Sequence, residues 1–129
     1  MSSPDPQIFV RLSEIIRGDV FTDIYNRVAY GSDAGIYQII PDCVVCPLDT
    51  GDVSQLVRFA FENQIPAAAR GAGSGVAGES LCGGIVIDMS RYMDKILDID
   101  AEGLTVVCEP GVVLDVLNKE LSGFGRMIG

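Results

Sequence analysis

The sequence predicts an α/β (α+β) fold, a small parallel sheet plus a hairpin with flanking helices, on three observations. Apolar runs at 43–46 and 67–70 bracket a stretch of helical period, which is the order strand, helix, strand. A glycine-dense segment then leads into a third apolar run, Ile85, Val86 and Ile87, ended by Asp88. Two more strand-like runs, 95–99 and 104–108, are joined by Asp-Ala-Glu-Gly and read as a hairpin. Strands are expected near 43–46, 67–70 and 84–88, the hairpin near 95–108, and helices at about 6–17, 52–63 and 112–122.

Composition bounds what such a fold can do. With 129 residues, 48% hydrophobic and 21% charged, the chain is the size of one globular domain and can bury a core. Eighteen acidic against nine basic residues give a net charge of −9, which repels nucleic acid and anionic membrane surfaces. An anionic ligand must therefore be held by local donors. No run approaches the length of a membrane span, and the opening MSSPDPQIF lacks the basic and apolar regions of a signal peptide. These features predict a cytoplasmic protein whose four cysteines stay reduced.

The first helix is signalled by Asp5 as N-cap and Pro6 at the first helical position, with Ile8, Leu12, Ile15 and Ile16 on one face and Gly18 closing it. From 19 to 37 the pattern weakens into short apolar groups (Val20, Phe21, Ile24, Tyr25) and a turn between Gly31 and Gly35. Residues 1–40 thus read as a helical lead-in whose second half is irregular, and 41–129 as the domain proper. Within the domain, Asp49 or Thr50 can cap a helix that puts Val53, Leu56, Val57, Ala60 and Phe61 on one stripe. Gln64 to Pro66 ends it. A strand, helix, strand unit of about thirty residues makes its strands parallel through a right-handed crossover. Pro110 and Gly111 break the last strand, and Val113, Leu114, Leu117 and Leu121 mark an amphipathic helix ended by Gly123.

The candidate site is the segment after the second parallel strand, at the carboxyl end where ligands of such sheets gather. Gly71, Gly73, Gly75 and Gly78 alternate with small residues, so the backbone can take positive φ and approach a ligand closely. A loop of this kind points several N–H groups into one concavity, which suits an anion such as a pyrophosphate. A flexible linker would have a similar composition but would not need Ile85, Val86 and Ile87 behind it. Gly73, Gly75 and Gly78 match the letters of a dinucleotide fingerprint, yet only Glu79 to Cys82 precede the next glycine pair and a Rossmann unit needs a full helix there. The same stretch fails as a P-loop because Glu79 stands where the phosphate-binding lysine must be.

Other chemistry-bearing residues have structural readings. Cys43 and Cys46 have the spacing of a redox or metal pair, but in a strand they point to opposite faces, no second pair exists and the chain has no histidine. Glu79 is expected to accept main-chain N–H bonds or face solvent, and Asp88 to fix the turn after its strand. Arg70 suits either a phosphate or a carboxylate elsewhere in the domain.

The run PAAARGAGSGVAGES, the following GGIVIDMSRYMDKILDID, and then TVVCEPGVVLDVLNKEL resemble the FAD-binding domain of the vanillyl-alcohol oxidase and p-cresol methylhydroxylase (PCMH) flavoproteins. Within that family they look most like the branch of D-lactate dehydrogenases and glycolate oxidase flavin subunits. The resemblance covers roughly residues 41–129 and implies the first subdomain of a PCMH-type domain. It implies that Arg70, Gly71, Ala72, Gly73, Ser74, Gly75 and Gly78 wrap the FAD pyrophosphate and that Pro110, Gly111 and Val112 lie beside the cofactor. It also implies an oxidoreductase acting on a small 2-hydroxy acid such as D-lactate or glycolate, with the catalytic residues outside this chain. The rival expectation is a non-catalytic small-molecule or protein-binding module.

Two departures qualify the resemblance. Members that attach FAD covalently through this loop carry histidine where this chain has Ser74, so FAD is expected to bind without a covalent link here. The family also continues past the last helix with a segment that completes the FAD site and with a substrate-binding cap. The chain therefore reads as an N-terminal fragment, expected to be isolated without FAD, inactive alone, and able to dimerise through the apolar surface so exposed.

Overall fold

The structure, a computed structural model, describes residues 7–129. Its centre is a four-stranded sheet of order β1-β2-β4-β3, made of β1 (Asp19–Phe21), β2 (Cys43–Cys46), β3 (Ala67–Arg70) and β4 (Ile85–Asp88). β4 pairs in parallel with both β2 and β3, and β1 runs antiparallel to β2 at the opposite edge. Every residue of β2 and β4 is buried, as expected of central parallel strands covered on both faces. β3 is an edge strand, and its alanines at 67 and 69 are exposed. The strand, helix, strand unit thus has the expected direction, with β4 inserted between its two strands.

The helices α1 (Gln7–Ile15) and α3 (Thr50–Glu62) cover one face. Phe9, Leu12 and Ile16 meet Leu56, Phe59 and Ala60 over Cys43, Val45, Ile85 and Ile87. α1 runs close to the expected span. Its proposed cap at Asp5 and Pro6 lies outside the described residues.

The buried row of α3 differs from the expected stripe. It is Asp52, Leu56, Phe59 and Ala60, while Val57 is 53% and Phe61 83% exposed. Two apolar rows lie side by side on this helix, and an acid decides between them. The fully buried Asp52 carboxylate accepts main-chain N–H bonds from Arg17 (3.1 Å), Gly18 (2.9 Å) and Leu48 (2.9 Å). It thereby ties the end of α1 to the start of α3. Asp49 is the N-cap, accepting from the Asp52 N–H at 3.1 Å and pairing with the Arg17 guanidinium.

The lead-in is more ordered than the sequence suggests. β1 and α2 (Ile24–Ala29) occupy the stretch read as irregular, with Asp23 capping α2 through the Asn26 N–H at 3.1 Å. α2 buries none of its residues and β1 is only partly buried, so neither leaves a strong apolar period.

Beyond the sheet, β5 (Ile96–Asp100) and β6 (Thr105–Cys108) form the expected antiparallel hairpin, with an irregularity between Ile96 and Asp98. Its turn is held by Asp100, which accepts from the N–H groups of Glu102 and Gly103, and places Leu104 at φ 56°. α4 (Leu114–Ser122) buries Leu117 and Leu121, while Val113 and Leu114 stay largely exposed. Gly123 caps α4 in a right-handed conformation, and the left-handed residue is Gly125 at φ 66°.

The expected opposition of Cys43 and Cys46 is met. Cys43 packs in the α1–α3 core, and the Cys46 sulfur lies 4.0 Å from Asp88 Oδ2 on the other face. Burial pushes the Cys43 thiol up to about 12 and Cys46 to about 11, so neither is a ready nucleophile. Among the described residues no helix is long and apolar enough to cross a membrane.

Burial alone would raise the Asp52 pKa, but the donors from Leu48, Arg17 and Gly18 outweigh it and hold the carboxyl below its usual range. A carboxyl depressed in the folded state contributes stability above its unfolded value of about 3.9 and loses it as pH falls through the folded value. Urea unfolding at pH 7 and pH 3 should show this directly. Asp52→Asn is expected to cost about 2 kcal/mol or more at pH 7 and to flatten the acid loss seen in the parent protein. An equal acid loss in both proteins would remove Asp52 from the account.

Candidate anion-binding loop

Parallel pairing sets the site. β3 and β4 stay in register to their last residues, Arg70 opposite Asp88, so the loop after β3 and the turn after β4 start at one edge of the sheet. Of the four alternating glycines only Gly73 (φ 67°) and Gly78 (φ 80°) use the left-handed region. At Gly73 a Cβ would also displace the Arg70 guanidinium, which lies against it.

The hydrogen bonds divide the loop in two. Among the described residues, the main-chain N–H groups of 71–76 have no acceptor. The next two are taken by carboxylates: Ala77 donates to Glu79 Oε2 at 3.0 Å and Gly78 to Asp33 Oδ2 at 3.1 Å. Glu79 therefore accepts from the main chain as expected. The Ser80 hydroxyl is buried with no partner among the described residues, in a residue only 6% exposed. Such a group is uncommon in a folded protein.

Within the chain Arg70 pairs with main-chain carbonyls and not with the carboxylate that was one of its two expected partners. Its Nη1 donates to the carbonyls of Tyr30 (3.3 Å) and Ser32 (3.1 Å), and its guanidinium lies 5.2 Å from the centre of the Tyr30 ring. The remaining guanidinium N–H groups lie against Gly73, so a fixed positive charge borders the free amides. Tyr30 in turn donates its hydroxyl to Asp88 Oδ2 at 2.5 Å. Burial and the adjacent carboxylate hold this phenol well above its usual range, so it stays protonated as a donor. The other Asp88 oxygen accepts from the N–H (2.8 Å) and hydroxyl (2.6 Å) of Ser90, which fixes the turn as expected.

Pro110, Gly111 and Val112 meet the same edge. The Gly111 N–H donates to the Met93 carbonyl at 2.8 Å, and the residue is pressed against the carbonyls of Met89 and Met93 so closely that a Cβ could not fit. A Cβ on Gly71 would lie 3.8 Å from the Pro110 carbonyl, so this corner adjoins the start of the loop. The structure thus brings Gly71, the first residue of the loop after Arg70, beside Pro110, while Gly73 lies against the Arg70 guanidinium and Gly75 against the Glu79 carboxylate. Gly78 stands apart, with its N–H engaged and Tyr37 packed on its α-carbon. Sequence reasoning missed Tyr30, Asp33 and Ser80. An Asp followed two residues later by glycine, as in Asp33-Ala34-Gly35, does signal an Asx turn, and Gly35 donates to Asp33 Oδ1 at 2.7 Å.

Known proteins are similar to this chain in sequence and fold. The sequence matches the FAD binding domain family over residues 41–129. It is 42% identical to the D-2-hydroxyglutarate dehydrogenase of Pantoea ananatis over 111 residues, which is 84% of this chain and 11% of that protein. It is 36% identical to the glycolate oxidase subunit GlcD of Bacillus subtilis over 96 residues, 71% of this chain and 20% of that one. The chain therefore spans only a small part of the curated relatives it matches. Among solved structures, 6-hydroxy-D-nicotine oxidase from Arthrobacter nicotinovorans superposes with a TM-score of 0.72 at 32% identity, covering 85% of this chain and 24% of that one. With most of its residues inside the family match, and with the parallel sheet and glycine loop in the matched region, the chain belongs to the FAD binding domain family.

Proposed function

We propose that the free amides of residues 71–76 bind the pyrophosphate of FAD, with Arg70 supplying positive charge and Pro110, Gly111 and Val112 lining the cofactor's flank. The observation that carries this reading is the run of unpaired N–H groups beside a guanidinium. A pyrophosphate offers these donors the charged acceptor they lack, and hydrogen bonds to charged groups are worth about 1.5–3 kcal/mol each. Ser74 and the absence of histidine make the link through this loop non-covalent. In this reading Gly78 shapes the loop and leaves contact with the cofactor to the residues before it.

The whole protein is then a flavin-dependent dehydrogenase or oxidase of a 2-hydroxy acid, the class named in both the D-2-hydroxyglutarate dehydrogenase and glycolate oxidase relatives. FAD supplies the electron acceptor for oxidising the hydroxyl-bearing carbon, and this segment orients it. The substrate belongs to other residues, as the likeness to a nicotine oxidase illustrates for the fold.

Two substitutions test the loop and its surroundings in the whole protein. Gly73→Val forces a β-branched residue into positive φ and against Arg70, and is expected to abolish flavin retention while far-UV circular dichroism changes little. Stoichiometric FAD in that variant would make the loop structural only. Ser80→Ala is expected to raise the melting temperature of the flavin-free protein, because it removes a buried hydroxyl that has no partner among the described residues. An unchanged or lower melting temperature would show that the hydroxyl is satisfied in solution.

A further inference from the structure

Residues 30–37 precede the family match yet hold the loop at both ends, by contacts that serve no evident purpose in the core. This segment closes on itself through the Ile39 N–H to the Gly31 carbonyl (2.9 Å) and a bridge between Ser32 and Gln38. It then grips the loop at successive points. The carbonyls of Tyr30 and Ser32 hold Arg70, the Ala34 N–H donates to the Gly75 carbonyl at 3.1 Å, and Asp33 takes the Gly78 N–H. Gly35 lies so close to the Val76 carbonyl that a side chain could not be inserted.

Each grip leaves the amides of 71–76 free. The strap takes the Gly75 carbonyl, engages the first amide beyond Ala77 through a carboxylate, and holds the guanidinium by carbonyls, which leave its charge intact. A loop carrying this much glycine would otherwise sample many shapes, and ordering it on binding would weaken the ligand. We propose that residues 30–37 are a positioning strap that pre-organises the loop for its dianionic ligand, with Asp33 as the positioning residue that anchors the far end. The proposal rests on the FAD reading for the identity of that ligand, but not for the strap itself.

The test uses the whole protein and two independent readouts, FAD affinity by flavin fluorescence and the rate at which proteinase K cuts within 71–80 in the flavin-free form. Asp33→Ala is expected to weaken FAD by about tenfold and to speed loop cleavage, whereas Asp33→Asn, whose one amide oxygen can replace only one of the two acceptors used by Gly35 and Gly78, is expected to fall between Asp33→Ala and the parent in both readouts. Gly35→Ala, which leaves all charges in place, should loosen the loop in the same way. Parent-like affinity and cleavage in both Asp33→Ala and Gly35→Ala would overturn the strap. So would tighter FAD in Asp33→Ala, because the carboxylate would then act by repelling the anion and not by holding the loop. If the parent protein binds no FAD while Asp33→Ala is still cleaved faster, the strap stands and the FAD reading falls.

Discussion

The site depends on the parallel pairing of β4 with β3, which brings Arg70 and Asp88 to one edge of the sheet. That pairing requires a strand that can be buried on both faces, and Ile85-Val86-Ile87 satisfies it beside the equally buried β2. Gly84 allows the entry, because its α-carbon packs against the Pro66 carbonyl with no room for a side chain. From that edge Tyr30 reaches both ends of the pair. Its hydroxyl donates to Asp88, and its ring and carbonyl hold Arg70. A one-residue slip would send Arg70 to the other face and undo both contacts.

Anion binding by a chain of net charge −9 needs a local solution. The loop provides one by separating charges along its length. A guanidinium borders the free amides at Gly73, while the carboxylate of Glu79 lies against Gly75 and takes the Ala77 amide, and that of Asp33 takes the Gly78 amide. Donors that would otherwise extend the concavity toward Gly78 are thereby consumed, which limits the anion to the first half. Main-chain amides suit the task because they carry no titratable proton and cost little side-chain entropy to fix.

Much of the fold was legible because its strands and helices carry strong apolar patterns. The central strands, the hairpin and the helices near 52–63 and 112–122 fall within a few residues of their expected places. Where reading failed, the deciding contacts lay far apart in the chain. The buried row of α3 follows from Asp52 meeting Arg17 and Gly18, and no local period reveals that an aspartate will be buried while Phe61 is not. β1 and α2 are short and bury little, so their pattern is weak. At the site, glycine spacing located the loop. Which of its amides are free depends on Asp33, 45 positions away from Gly78. The contacts of Arg70 within the chain are to backbone carbonyls, which leave no mark in sequence, and not to the carboxylate that was one of its two expected partners.

The central claim is that the amides of 71–76 are held open for one anion while those of 77 and 78 are already satisfied. Amide hydrogen exchange of the whole protein with and without FAD measures this residue by residue. The account predicts slowed exchange on adding FAD that is confined to 71–76, with 77 and 78 nearly unchanged. Protection spread evenly from 71 to 78, or absent from 71–76, would contradict it.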